Sequence, residues 1–139
     1  MKKILALLIL TIFSCTSQAQ QVLACQFSES TGFKSNPGRW SSANFLIGKP
    51  FFLRINNDEL IDKKSLENLL FYPDDTVCKK YNSRNAGLRT ACVEIDSGNG
   101  IVLSLETLTG AVSALSGAAS SNVTKRDDVS VSLFNCQKM

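Results

Sequence analysis

The chain has 139 residues, of which 44% are hydrophobic and 19% are charged, and its formal net charge is +3. This length is enough for one domain with a single hydrophobic core, and so small a charge provides no basic surface for nucleic acid. The chain has no histidine, which excludes the serine–histidine and cysteine–histidine nucleophile systems.

The first residues have the pattern of a bacterial secretory signal. Two lysines precede an apolar run at residues 4–13, and small and polar residues follow. Such a run is too short to cross a bilayer and is typical of a signal peptide. We therefore predict a signal peptide at 1–19, cleaved after Ala19, and a single exported β-rich domain at 20–139.

A second processing route stays open at Cys15. The sequence TIFSC places this cysteine directly after the apolar run, as in a lipoprotein signal, although Phe13 is bulky for that motif. Cleavage after Ala19 predicts a periplasmic or secreted protein, whereas lipidation of Cys15 predicts an outer-membrane lipoprotein. No later stretch is long and apolar enough to span a membrane. The exported chain is close to neutral, because Lys2 and Lys3 leave with the signal.

Four cysteines lie beyond the signal, and an even number in a short exported chain predicts disulfides. Of the possible pairings we favour Cys25–Cys136, which ties the first strand to the last, and Cys78–Cys92, which closes a polar segment. A zinc site needs closely spaced thiols or histidines, and the sequence has neither. We predict no metal ion and no other cofactor.

The first half of the exported chain alternates strands with turn-rich segments. Asn36-Pro37-Gly38 ends a polar loop predicted at 28–38. Asp62 is the predicted N-cap of one short helix, because leucines follow it at helical spacing. The FFLRI strand is apolar on both faces, which predicts that it is well buried. The strands predicted in this half are 21–28, 39–47 and 51–55.

The second half contains a predicted hairpin. The sequence DSGNG at 96–100 has turn composition and lies between two alternating apolar segments. The glycine-rich segment after it is predicted to turn at Thr109-Gly110 and to pair back on the preceding strand. In the last strand Val131 and Leu133 alternate with serines, but Phe134 and Cys136 follow on the serine side, which requires two covered faces or a bulge. The predicted strands are 89–95, 101–108 and 128–136, and the predicted loops are 73–89 and 117–127.

Consecutive strands without intervening helices define the predicted fold class. We predict a mainly β protein, a small antiparallel curled sheet, barrel or sandwich with one short helix, stapled by two disulfides.

Glu94 and Glu106 are the candidates for paired carboxylate chemistry. They flank the DSGNG turn, and two carboxylates close together on one sheet face are what a glycosidase needs. The alternative is two solvent-facing residues on an amphipathic hairpin. We favour this alternative and predict that the protein is not an enzyme.

Two partial resemblances accompany the sequence. Gly38 and Trp40 resemble the glycine-x-tryptophan motif at the start of lipocalins, without a companion motif. The size, predicted compartment, strand content and cysteines also resemble the small periplasmic lysozyme inhibitors of Gram-negative bacteria, without an inhibitory loop that matches residue by residue. We assign the chain to no family.

A rigid scaffold with polar loops and few catalytic groups predicts a non-catalytic binding or inhibitor-type protein, because recognition commonly uses loops on a scaffold. The predicted partner is an envelope protein or hydrolase, and the oligomeric state stays open. The alternative is a small lipid- or hydrophobe-binding barrel, tethered through Cys15, whose cavity the FLIGKPFFL segment would line. The candidate interaction residues are Lys34, Trp40, Lys79, Lys80, Lys125 and Arg126.

Overall fold

The computed structural model describes residues 20–36, 39–85, 87–119 and 127–139, so the predicted signal peptide and Cys15 lie outside the described residues. Within them the chain forms one antiparallel sheet with short 3-10 segments between strands. The strands are β1 (Gln21–Asn36), β2 (Arg39–Asn44), β3 (Phe51–Ile55), β4 (Thr76–Ser83), β5 (Gly87–Glu94), β6 (Gly100–Ser104), β7 (Thr109–Ala114) and β8 (Val129–Lys138). The 3-10 segments are Lys63–Leu66, Pro73–Asp75 and Ser116–Ala119.

The sheet is open. Its strand order is β2-β1-β8-β7-β6-β5-β4, and β3 also pairs with β1. The long β1 holds β3 against residues 21–25 and β2 against residues 31–36. β4 ends the order at the other side and does not pair with β2 or β3. The prediction of a mainly β, antiparallel fold is confirmed, and the sheet does not close into a barrel.

The core lies on the inner face of the sheet. Leu23 of β1, Leu53 of β3 and Leu103 of β6 are fully buried. The segment between β3 and β4 covers this face with Ile61 and Leu66, and an isolated bridge between Ile55 and Ile61 fixes its start. Three rings complete the core at one end, with centroids 4.8 to 6.2 Å apart: Phe27, Phe51 and Phe134.

Both predicted disulfides are confirmed. Cys25 is bonded to Cys136 and Cys78 to Cys92. In each pair the two residues lie directly opposite each other on neighbouring strands. The first disulfide therefore joins the first strand to the last, as predicted, whereas the second lies across a strand pair and not at the neck of a loop.

Several predicted element boundaries are wrong. The polar loop expected at 28–38 is the second half of β1, where the Ser30 and Ser132 hydroxyls lie 2.8 Å apart across the ladder. The loop expected at 73–89 is mostly β4 and the start of β5. Only the first residues of the loop expected at 117–127 are described before Asp127, and they end a 3-10 segment.

The predicted short helix is a 3-10 segment. The Asp62 side chain accepts a hydrogen bond from the Lys64 N–H, so the predicted cap is confirmed. Two leucines of the predicted helix, Leu66 and Leu70, are buried in the core. Turn residues follow Leu66, and Pro73 starts the next 3-10 segment.

The glycine-rich segment forms the predicted hairpin, but its turn lies earlier. β6 ends at Ser104 and β7 begins at Thr109, so Leu108, with φ +56°, belongs to the turn. Gly110 is inside β7, opposite Phe134. A Cβ atom on Gly110 would lie 2.3 Å from the Phe134 ring, which explains why this strand position has no side chain.

Candidate protein-interaction face

Apolar side chains from neighbouring strands lie together on the outer face of the sheet, which is the side away from the core. Val77 of β4 lies opposite Val93 of β5. Two residues further along β5, a row of directly paired residues crosses four strands from Ala91 to Leu133. We call the following set the outer apolar face: Val77, Ala91, Val93, Val102, Ala111, Val131 and Leu133.

The outer apolar face has no covering element among the described residues. Val93 is 47% exposed and Leu133 is 45% exposed, although both lie within strands. A solvated face of an antiparallel sheet normally carries polar residues in alternation with the core residues. A contiguous exposed apolar surface of this kind is a candidate interaction site.

Charged residues border the outer apolar face on three sides. Lys79 of β4 is paired with Ala91 at one end of the long row, and Glu29 of β1 is paired with Leu133 at the other. Arg89, two residues from Ala91 on β5, is paired with Tyr81 of β4. An apolar centre with a polar rim is the usual arrangement of a protein–protein interface.

A groove of about 1050 Å³ opens on the same side of the sheet. Val102, Ala111 and Leu133 line it, so it includes part of the outer apolar face. Arg84 and Glu106 also line it, from the β4–β5 and β6–β7 turns. The groove therefore adds charged and amide-bearing walls to an apolar floor.

The sequence left open whether both faces of the last strand are covered or a bulge intervenes. Phe134 and Cys136 are buried, whereas Val131 and Leu133 are exposed. The register shift between Phe27 and Glu29 places a bulge in β1, not in β8. The signal that identifies the inner side is the cysteine, because a cysteine bonded to the first strand shares its face with the core.

Glu94 and Glu106 do not form a pair. Glu94 is 1% exposed and lies beside the β5–β6 turn. Glu106 is exposed and lies in the β6–β7 turn, at the opposite end of β6. The Glu106 carboxylate accepts a hydrogen bond from the Leu88 N–H at 3.1 Å. The structure thus separates the two carboxylates that a glycosidase mechanism would need.

Glu94 is the acceptor at the centre of a buried network. One carboxylate oxygen accepts from the Tyr72 N–H at 2.7 Å, and the other accepts from the Ser97 hydroxyl and from the Asn99 amide. Burial acts to raise the pKa of this carboxyl, but these hydrogen bonds outweigh burial and hold the pKa below its usual value. In order of effect the donors are Ser97, the Tyr72 N–H, Asn99 and the Phe71 N–H.

The predicted interaction residues lie at two distant places. Lys34 and Trp40 belong to the β1–β2 hairpin, at one end of the strand order. Lys79 and Lys80 belong to β4, at the other end. Lys125 and Arg126 lie outside the described residues. Of these residues only Lys79 is next to the outer apolar face, because Lys80 is paired with the buried Thr90 on the core side. The structure therefore does not combine the predicted residues into one surface.

The FLIGKPFFL segment is divided between core and surface. Phe51 and Leu53 are buried, whereas Phe52 is 59% exposed, so the expectation that β3 is buried on both faces is wrong. Beside β3 is a second groove of about 750 Å³. Its lining combines apolar side chains with three cations and includes Phe27, Phe52, Leu69, Lys49, Arg54 and Lys64.

No family model, curated protein or solved structure matches this chain. In the described part of the chain, no helix has the length and apolar character needed to cross a bilayer. The same residues contain no cluster of three or more side chains that would hold a metal ion. Inferences about function therefore depend on the surface itself.

Proposed function

We propose that this protein is a non-catalytic, exported binding domain that recognises an envelope protein or hydrolase through the outer apolar face. The observation that carries the proposal is the exposure of valine and leucine side chains across neighbouring strands, from Val77 to Leu133, with no element of the described chain over them.

The dimensions of this face favour a protein partner over a small ligand. β4 to β8 are five neighbouring strands, and at a spacing of about 4.8 Å they make a surface about 20 Å wide. A standard protein interface covers about 800 Å² on each partner. An open face of this breadth matches another protein surface, whereas small ligands select enclosed pockets.

The disulfides are compatible with an extracytoplasmic location, because such bonds persist in oxidising compartments. Together with the signal-like sequence at residues 1–19, they support export to the periplasm or beyond. The partner would then be a protein of the cell envelope. Binding would use the preformed sheet without chemistry, since Glu94 and Glu106, the candidates for a catalytic pair, are apart.

Site-specific photo-crosslinking in the host cell tests the proposal. A photoreactive residue in place of Leu133 is expected to give one adduct of defined mass. The same probe in place of Glu67, which is exposed on the segment that covers the core, is the matched control and should give none. Val93→Lys should remove the Leu133 adduct while leaving the fold intact by circular dichroism. No adduct, or the same adduct from both positions, would contradict the proposal.

A second candidate function is binding of an anionic amphiphile in the groove beside β3. Lys49, Arg54 and Lys64 give this groove an excess of positive charge over Glu67, and Phe27 and Leu69 provide an apolar wall. Mass spectrometry of the native protein from the envelope would reveal such a ligand. A bound lipid, lost in Arg54→Glu/Lys64→Glu and accompanied by no Leu133 adduct, would favour this function over the first.

A further inference from the structure

β4 is the last strand of the sheet on its side. It pairs with β5 along its whole length, from Thr76 opposite Glu94 to Ser83 opposite Gly87, without a register shift. No described strand pairs with its other edge. The strand therefore presents an unpaired edge. Two usual protections of an edge strand, proline and a bulge, are absent from it, and its lysine side chains are the protection that it carries.

The register shows which backbone groups face outward from β4. The Cα atoms of Cys78 and Cys92 are 4.0 Å apart, which is the short spacing of a non-hydrogen-bonded pair. The N–H and C=O groups of Cys78 therefore point away from β5. The Leu105 N–H donates to the Leu88 carbonyl, so the backbone N–H and C=O groups of the even-numbered residues of β5 point toward β6. Cys92 is one of these residues, which agrees with the outward direction of the Cys78 groups.

Three consecutive even-numbered residues of β4 consequently present unpaired backbone groups: Cys78, Lys80 and Asn82. Neither the backbone N–H nor the carbonyl of these residues has a hydrogen-bond partner in the described part of the chain. Thr76 differs, because its N–H is bonded to the Pro73 carbonyl. The free edge thus begins after the first residue of the strand.

The edge of β3 is protected where that of β4 is not. The Asp62 N–H donates to the outward carbonyl of Arg54 at 2.8 Å, and the Asn56 N–H donates to the Leu60 carbonyl. The segment that follows β3 therefore blocks this end. β4 has no equivalent cover, although its disulfide to β5 holds it in an extended conformation before any partner arrives. Such preorganisation lowers the entropic cost of adding a strand.

Charge selects the kind of strand that β4 can accept. Lys79 and Lys80 are adjacent on it, Arg84 follows in the turn, and the Lys80 ammonium is 2.9 Å from a Glu59 carboxylate oxygen. Pairing of two copies along Cys78, Lys80 and Asn82 would put Lys80 directly opposite its own copy, and like charges opposite each other destabilise a strand pair. A second copy is therefore disfavoured, and an acidic strand is favoured.

We propose that the free edge of β4 accepts an extended, acidic segment of the protein partner as an added strand of the sheet. The added strand would hydrogen-bond to the outward groups of Cys78, Lys80 and Asn82, as in other cases of strand addition. Acidic side chains on the outer face of the added strand would lie beside Lys79, and those on the inner face would lie beside Lys80. This proposal rests on the proposed function and specifies the chemistry of the partner.

Amide hydrogen exchange with a defined probe tests strand addition. The probe is a capped heptapeptide, Thr-Glu-Val-Glu-Val-Glu-Thr, and its controls are the lysine-for-glutamate peptide and a copy N-methylated at alternate residues. In the free protein the amides of Lys80 and Asn82 should exchange fast and those of Lys79 and Tyr81 slowly. The probe should slow exchange at Lys80 and Asn82 at least tenfold, and neither control peptide should do so.

Proline substitution separates backbone pairing from charge. Asn82→Pro removes one outward N–H without a change of charge and should weaken probe binding at least tenfold. Ser42→Pro places proline in the exposed strand at the opposite end of the sheet and is the matched control, with binding unchanged. Lys80→Gln should weaken binding and reduce its salt dependence. The circular dichroism spectrum of each variant should match that of the unmodified protein.

Two results would overturn strand addition: no binding of the probe at millimolar concentration, or binding that leaves exchange at Lys80 and Asn82 unchanged. Neither result affects the adduct expected from the photoreactive residue at Leu133. Failure of strand addition with that adduct retained would leave docking on the outer apolar face intact. Loss of the adduct together with tight probe binding would reject the face and keep the edge.

Discussion

Glu94 joins parts of the chain that are far apart in sequence. Its carboxylate holds the Tyr72 N–H and the Asn99 side chain. The side-chain amide oxygen of Asn99, Oδ1, in turn accepts from the Leu115 and Ser116 N–H groups at 2.7 and 3.1 Å. One buried acid therefore positions the segment before β4, the β5–β6 turn and the end of β7.

We expect Glu94→Gln to lower the free energy of unfolding by about 2 kcal/mol, because the new amide group turns a donor toward donors inside the protein. Urea unfolding measures the change. Glu106→Gln is the matched control, since Glu106 is exposed and accepts one backbone N–H. We expect this control to lose less than about 1 kcal/mol. Equal losses in the two variants would contradict a central role of Glu94.

The depressed pKa of Glu94 predicts a pH dependence of stability. A carboxyl whose pKa is lower in the folded than in the unfolded state stabilises the fold above its unfolded pKa, about 4.3. This contribution is lost as the pH falls through the folded pKa. The stability difference between the unmodified protein and Glu94→Gln should therefore be constant near neutral pH and shrink as the pH falls below about 4. A difference that grows on acidification would contradict the prediction.

Gly110 predicts a second effect at the residue scale. A Cβ at this position would lie 2.3 Å from both the Phe134 ring and the Val102 carbonyl oxygen. We expect Gly110→Ala to cost about 3 kcal/mol, because overpacking moves a buried ring and a strand backbone. Gly98→Ala is the comparison. Gly98 has φ +71° and open space around it, so backbone strain alone should cost about 1 kcal/mol.

Strands were predictable where burial imposed an alternating pattern. The hairpin of β5 and β6 was found because Ile101 and Leu103 alternate with less buried residues and turn residues precede them. β4 was missed because it is an edge strand whose residues are mostly exposed and polar. The second half of β1 was missed for a related reason, since its buried position is Ser30, whose partner is another serine hydroxyl.

The outer apolar face could be predicted only in part. The sequence shows that Val131 and Leu133 lie on one side of a strand, but the side that meets the core depends on the cysteine pairing and on the bulge in β1. The free edge of β4 was not predictable, because it depends on strand order. Sequence analysis nevertheless selected Lys79 and Lys80 as interaction residues, and they lie on that edge.

The two disulfides act at different scales of the molecule. The Cys25–Cys136 bond spans 111 residues and joins β1 to β8, which are both interior strands of the sheet. The Cys78–Cys92 bond spans 14 residues and joins the edge strand to its neighbour. In the chain-entropy model a disulfide stabilises by restricting the unfolded chain, and a longer closed loop gives more stability.

Replacing Cys25 and Cys136 together by alanine should therefore cost about 5 kcal/mol, and replacing Cys78 and Cys92 should cost about 3 kcal/mol. Urea unfolding of the two double variants measures this order of stability loss.

The two variants should also differ in which backbone amides exchange faster. Loss of the first bond lowers protection throughout the sheet, because β1 and β8 hold it together. Loss of the second speeds exchange mainly at the Lys79 and Tyr81 amides, which pair with β5. Uniform loosening in both variants would show that β4 unfolds only with the whole sheet, and that its edge is as rigid as the core.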